Sequence, residues 1–121
     1  MGSEMCIRDS VIDGNGEGII FGGAERVAAR DNLVEGNVIS NSRIRSNVEW
    51  HFDGPVGRDN VLRRNCIGGG PRDDGDGGIM KPAIGYTPIA NVLARPEFRA
   101  QGDYRLKPAS TRAHALPGLS R

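Results

Sequence analysis

The sequence predicts an all-β fold in which short strands from successive repeats stack in parallel, as in a solenoid. Three observations carry this. First, a phrase recurs: Arg30 to Ser42 read RDNLVEGNVISNS, and Arg58 to Gly70 read RDNVLRRNCIGGG, a period of 28 residues, within the range of stacked repeat architectures. Second, the apolar positions are aliphatic or β-branched and sit between turn residues, with no apolar run at helical spacing sustained over three turns. Third, glycine makes up 18 of the 121 residues, which favours bends over long helices.

The shared skeleton is Asn-x-(Val/Leu)-x-x-Asn-x-Ile, on Asn32, Val34, Asn37 and Ile39, and again on Asn60, Leu62, Asn65 and Ile67. One copy is too short to bury its own apolar side chains. Stacked at the strand spacing of ~4.8 Å, the copies form continuous columns. A third copy is expected at Asn91, Leu93, Pro96 and Phe98, placing Leu93 over Leu62 and Val34, and Phe98 over Ile67 and Ile39. Asn37 and Asn65 are expected at sharp corners, where Asn tolerates a left-handed backbone and stacked amides hydrogen-bond to one another.

This pattern resembles the right-handed parallel β-helix, the pectin-lyase-like superfold, over Val11 to Leu106. The resemblance implies about three to four coils. It also implies a carbohydrate-active protein: many members act on acidic polysaccharides as lyases or hydrolases, whereas others bind glycans or form stalks. Asp103 to Pro108 read DYRLKP, similar to a closing stretch common at the C-terminal end of bacterial β-helix domains. Residues 99–121 are therefore expected to close the last open face and end in a frayed tail.

Met5 to Ser10 read MCIRDS, the translation of ATG-TGT-ATA-AGA-GAC-AG, an end sequence used in transposase-based sequencing libraries. Residues 1–10 are accordingly expected to be a non-native segment, and residues 11–98 the coils of an N-terminally truncated chain. Ile12 and Asn15 then take the Val and second Asn slots of a first, partial copy. No secretion signal is expected in such a fragment; its parent is expected to be extracellular or periplasmic.

The remaining elements follow in order. Gly18 to Phe21 reads as a strand closed by Gly22 and Gly23, and Ala24 to Ala29 as a short helical or irregular turn. Asn41 to Ser46 makes a corner with Ile44 pointing inward. Asn47 to Phe52 is the counterpart of Gly18 to Phe21. Alternation puts Val48, Trp50 and Phe52 on one face and Glu49, His51 and Asp53 on the other. Asp53 to Pro55 ends the strand as a turn. Gly68 to Asp76 is a loop, Gly78 to Lys81 a further strand of the Ile19–Trp50 column, and Pro82 to Pro88 an insertion containing Tyr86. Cys66 aligns with Val38 and reads as a small hydrophobe; Cys6 belongs to the adaptor-like segment.

The formal net charge of +1 makes no case for nucleic acid or an anionic membrane. No apolar run of about eighteen residues exists to span a bilayer as a helix. Three groupings could carry chemistry. Glu49, His51 and Asp53, with Lys81, supply an acid–base set on an outward face; β-elimination needs a base and a charge-neutralising cation, and hydrolysis needs paired carboxylates. Asp73, Asp74 and Asp76 have the density to hold calcium, though not the order of an EF-hand. The basic set Arg58, Arg63, Arg64, Lys81 and Arg95 contains three residues, Arg63, Arg64 and Arg95, at skeleton positions that would stack into a cationic strip for a polyuronate or sulfated glycan. Trp50 would lie against the same substrate. The expected partner is thus a polysaccharide.

Overall fold

A computed structural model describes residues 6–23, 30–52, 55–96, 98–100 and 103–106. Twelve short strands are ordered along it: β1 (Cys6–Arg8), β2 (Val11–Asp13), β3 (Ile19–Gly23), β4 (Leu33–Glu35), β5 (Val38–Ser40), β6 (Val48–Phe52), β7 (Val61–Arg63), β8 (Cys66–Gly68), β9 (Thr87–Ile89), β10 (Val92–Leu93), β11 (Phe98–Ala100) and β12 (Asp103–Leu106). The architecture is all-β, with no helix among the described residues and none able to cross a membrane. Two four-stranded parallel sheets, in the orders β1-β4-β7-β9 and β10-β8-β5-β2, take one strand each from successive repeats; β3 and β6 form a third parallel sheet, and β11 and β12 an antiparallel pair.

Apolar side chains stack in the columns that the period requires. Val34 pairs with Leu62 and Ile39 with Ile67, and all four are at most 2% exposed. Val38 pairs with Cys66, so the cysteine is a buried thiol in a strand. Each such side chain withdrawn from water contributes about 1.5–3 kcal/mol.

The corner amides join the repeats. The Asn65 Oδ1 accepts from the backbone N–H of Asn37 at 2.9 Å and from its Nδ2 at 3.1 Å, while the Asn65 Nδ2 donates to the Val34 carbonyl at 3.0 Å. Asn91 does the same for Asn65, accepting at 3.0 Å from both nitrogens and donating to the Leu62 carbonyl at 2.9 Å. A second amide pair links Asn32 to Asn60, whose Nδ2 reaches the Gly85 carbonyl at 2.7 Å.

Two registers differ from the sequence expectation. Asn91 occupies the second Asn slot, so Leu93 lies over Ile67 and Pro88 over Leu62. The expected register would have set Pro96 above Asn65 and deprived its buried N–H of an amide acceptor, a loss that buried donors rarely suffer. At the other end Ile7 pairs with Val34 and Ile12 with Ile39, with Ser10 in the Asn slot donating its N–H to the Asn37 Oδ1 at 2.9 Å. The alternative, with Ile12 on Val34, would have driven Glu17 into the apolar Ile39 column. Cys6 to Arg8 therefore form the first strand of a four-stranded sheet, although those residues resemble an adaptor translation.

The left-handed backbone is also displaced from where it was expected. In the ladders it falls on the residue before each laddering Asn or its Ser10 counterpart: Asp9, Asp31, Gly36, Asp59, Arg64 and Ala90, with φ between 53° and 72°; Asn41, at the start of the next corner, is left-handed as well, with φ 54°. The preceding residue turns the chain, and the amide is left free to ladder. Ile44 is 70% exposed rather than inward, because residues 43–45 turn their backbone N–H groups onto the carbonyls of Asn15 and Gly16. Gly78 to Lys81 makes one parallel bridge, Val48 to Ile79, instead of a strand. Tyr86 belongs to the core: it is 6% exposed and stacks on Phe21 with ring centroids 4.5 Å apart. The expected turn at Ala24 to Ala29, Asp53, and most of the expected closing segment lie outside the described residues; β12 falls within that segment's start, and β11 begins one residue before it, with Phe98 paired antiparallel to Leu106 instead of lying over Ile67.

Candidate functional site

The third sheet carries the candidate site. In the β3–β6 pairing, Ile20 stands beside Glu49, Phe21 beside Trp50 and Gly22 beside His51. Alternation along β6 turns Val48, Trp50 and Phe52 toward the core, where Trp50 and Phe52 pack against it and stack with centroids 5.9 Å apart. The Trp50 Nε1–H donates to the Pro82 carbonyl at 2.7 Å. That bond joins the sheet to the segment after Met80, whose N–H reaches the Val48 carbonyl at 2.8 Å.

A depression of about 470 Å³ opens on this sheet. Glu49, Trp50 and His51 line it, with Ile20 and Gly22 from β3, Arg45 from the preceding corner and Met80 from the following repeat. His51 is exposed. Glu49 does not stand out into solvent as strand alternation alone suggests; it is 7% exposed. Its Oε1 accepts the Ser46 N–H at 3.2 Å and its Oε2 lies 3.5 Å from the Arg45 Nε. Both carboxylate oxygens are thus engaged from the preceding corner. Asp53 lies outside the described residues.

Lys81 does not join this group. It lines a neighbouring depression of about 360 Å³ with Asp76, Ile79, Pro88 and Leu93, and Met80 borders both. The Lys81 Nζ is 3.0 Å from the Asp76 Oδ2. This lysine, aided by the Gly78 N–H, holds the Asp76 carboxyl below its ordinary value against the opposing effect of burial.

No family model, characterised protein or solved structure matches this chain.

The acidic loop closes on itself. The Asp73 carboxylate accepts backbone N–H groups from Gly69 at 2.7 Å, Gly75 at 2.9 Å and Gly77 at 3.1 Å. Asp76 is engaged by Lys81, and Asp74 is exposed. Among the described residues, no three His, Cys, Asp or Glu side chains converge as a set of metal ligands.

The cationic strip does not form as expected. Arg63 projects from β7 beside Glu35 of β4 and forms an ion pair with it. That bond, with Arg8 and Arg64 nearby, holds the Glu35 carboxyl below its usual range. Arg64 occupies a left-handed corner. Arg95 lies against Gly69 beyond the second sheet, because the third copy is offset by one slot. Arg58 pairs with Arg30 as a backbone bridge.

The cation in the depression is instead Arg45, which sequence reasoning did not single out. One signal pointed to it: Arg45 stands four residues before Glu49. The neighbours Ile20 and Gly22 could not be placed by the 28-residue period, because β3 pairs with β6 at an offset of 29 residues, Ile20 to Glu49 and Gly22 to His51.

Proposed function

We propose that this chain is a stretch of right-handed parallel β-helix, of pectin-lyase-like type, whose third sheet binds an acidic glycan in the Arg45–Glu49–Trp50–His51 depression. The stacked period, the amide ladders and the parallel pairing of like positions support the fold reading. The antiparallel turn-back of β11 and β12 suits a closing role for the residues after the last repeat, since an antiparallel pair interrupts parallel stacking.

The observation that carries the binding reading is the convergence of one cation, one anion and one imidazole on a single concave surface. Apolar side chains from Ile20 and Met80 flank them. A pyranose ring offers that combination of partners: a C–H face for the aliphatic walls, and hydroxyls for carboxylate and imidazole. A ring carboxylate adds a partner for the 64% exposed Arg45 side chain. Such polymers lie outside the cytoplasm, so an extracellular or periplasmic location belongs to the same reading.

Binding is favoured over cleavage by what the depression lacks and how its carboxylate is used. Glu49 is its one carboxylate among the described residues, whereas glycoside hydrolysis requires a pair. Both Glu49 oxygens already have partners, and Lys81 faces a different depression. A lyase reading keeps His51 as its base.

Calorimetric titration with tetragalacturonate tests the proposal. Wild-type chain should bind, and Arg45→Ala and His51→Ala should each weaken binding by about ten-fold or more with little change in Tm. Wild-type affinity in both variants would reject the site. Accumulation of an unsaturated product, abolished by His51→Ala, would restore the lyase reading.

A further inference from the structure

We infer that Asn15–Gly16 is a site of spontaneous covalent modification, and that its conversion to isoaspartate releases the corner carrying Arg45. The inference concerns the chain itself and stands whether or not the depression binds a glycan.

An asparagine amide is attacked by the backbone nitrogen of the next residue when both are accessible and the backbone between them can turn. Glycine in the next position leaves that nitrogen unscreened and gives the backbone its widest freedom. Asn15–Gly16 is the one Asn-Gly pair in the sequence, and both residues are exposed. Among the described residues, no hydrogen bond engages the Asn15 side chain or the Gly16 N–H. The Asn41–Ser42 pair, also followed by a small residue, is held instead. The Asn41 Nδ2 donates to the Asp13 Oδ1 at 2.8 Å, and the N–H of Ser42, a residue 2% exposed, donates to the Asn47 Oδ1 at 3.0 Å. The ladder residues Asn37 and Asn65 are fully buried, and the nitrogens that follow them donate to the Ser10 and Asn37 carbonyls. The fold shields these asparagines and leaves Asn15 open.

The chemistry needs only water. The Gly16 nitrogen bonds to the Asn15 Cγ, the Cγ–Nδ2 bond breaks, and ammonia leaves with the proton that the Gly16 nitrogen gave up. Water then opens the succinimide. Attack at Cγ yields aspartate. Attack at the former backbone carbonyl yields isoaspartate, whose main chain runs through Cβ and Cγ and is longer by a methylene group.

That stretch of backbone also anchors the next corner. The Asn15 carbonyl accepts the Arg43 N–H at 2.8 Å, and the Gly16 carbonyl accepts from Ile44 at 3.0 Å and from Arg45 at 2.8 Å. In the isoaspartate form the first carbonyl becomes a carboxylate off the main chain, and the second is displaced. Residues 43–45 lose their anchors, and Arg45 loses its place 3.5 Å from Glu49.

The test incubates the whole chain at mildly alkaline pH, where the Gly16 nitrogen gives up its proton more readily, and reads peptide maps that separate aspartate from isoaspartate. Isoaspartate should accumulate at position 15 ahead of every other asparagine. Gly16→Ala should fold, since its Cβ would meet only the Ile44 Cδ1 at 3.6 Å, and should convert several-fold more slowly. If it does not fold, Asn15→Gln, which must close a larger ring, serves as the slow variant. In hydrogen exchange, the modified fraction should lose protection at the amides of Arg43, Ile44 and Arg45, while those of Asn37 and Asn65 keep theirs. Asn15→Asp, with the same added charge on an unaltered main chain, should keep protection throughout. No isoaspartate at position 15, an equal rate at Asn41, or unchanged exchange at residues 43–45 in the modified fraction would overturn the inference. Loss of that protection in Asn15→Asp would also overturn it, by making charge rather than the rerouted chain the cause.

Discussion

Replacing Asn65 by alanine should bring the chain close to unfolding. The side chain is fully buried and makes four hydrogen bonds: it accepts two from Asn37 and donates to Val34 and Asn91. Alanine strands the Asn37 backbone N–H and one proton of its amide without an acceptor, in a place that water does not reach. The Asn91 Oδ1 keeps the Asn65 N–H and loses little. Two orphaned donors at about 1–3 kcal/mol each, with a small cavity besides, give a loss of roughly 3–5 kcal/mol. A domain's whole stability is about 5–15 kcal/mol. Asn91→Ala strands equivalent groups of Asn65, but Asn91 is only partly buried, so its loss should be about half as large. Urea unfolding followed by the fluorescence of Trp50, the single tryptophan, reads both variants. A midpoint shift equivalent to less than about 1 kcal/mol for Asn65→Ala, at unchanged m, would show that the ladder is incidental and would refute this account of how the repeats are held.

Three further outcomes are expected. Leu62→Ala should cost about 2–5 kcal/mol, whereas Leu93→Ala, at a position 46% exposed, should cost well under half of that; equal losses in chemical denaturation would return Leu93 to the Val34 column. The Tyr86 hydroxyl is buried without a hydrogen-bond partner among the described residues, so Tyr86→Phe should raise stability by about 1 kcal/mol. Burial pushes the phenol up from 10.0 to about 12; the unfolded chain therefore loses this proton first, and wild type should lose up to about 2 kcal/mol between those pH values that Tyr86→Phe retains. Asp76 is held low by Lys81, so its contribution is present above the ordinary carboxylate range and disappears as pH falls through its folded value. Asp76→Asn should flatten that part of the acid limb in a pH series of thermal melts.

Strand type and period were legible because apolar side chains must repeat where neighbouring strands share a face. Val34 over Leu62 and Ile39 over Ile67 follow from that alone. Register at the two ends was less legible because the skeleton degrades there: Ser10 stands for an Asn, Pro88 for a Val, and Pro96 offers a false match. Asking which alignment leaves a buried N–H without an acceptor, or a Glu in an apolar column, selects the observed register at both ends. The site was half legible. Period-two alternation found Glu49, Trp50 and His51. It could not find Arg45, which reaches Glu49 from a corner whose path depends on hydrogen bonds to Asn15 and Gly16. It also could not tell that Glu49 would be held down, since its partners Ser46 and Arg45 come from that same corner.

The division between ladder and site has a physical basis. Both Asn slots adjoin the two four-stranded sheets, where each amide must meet its like in the next repeat, so side-chain type there is constrained by the repeat itself. The β3–β6 sheet carries no such ladder between its paired positions. Its outward positions hold Ile20 and Gly22 in one repeat and Glu49 and His51 in the next, and nothing in the stacking requires them to match. A surface freed from repetition can place four unlike groups within one depression, which a column of identical residues cannot do. The same freedom makes the assignment testable. Exchanging the outward residues of β3 and β6 should leave the ladders and the core intact, and with them the folded state, while removing whatever this surface binds. If that exchange unfolds the chain, the outward face is part of the repeat after all, and the site must be sought elsewhere.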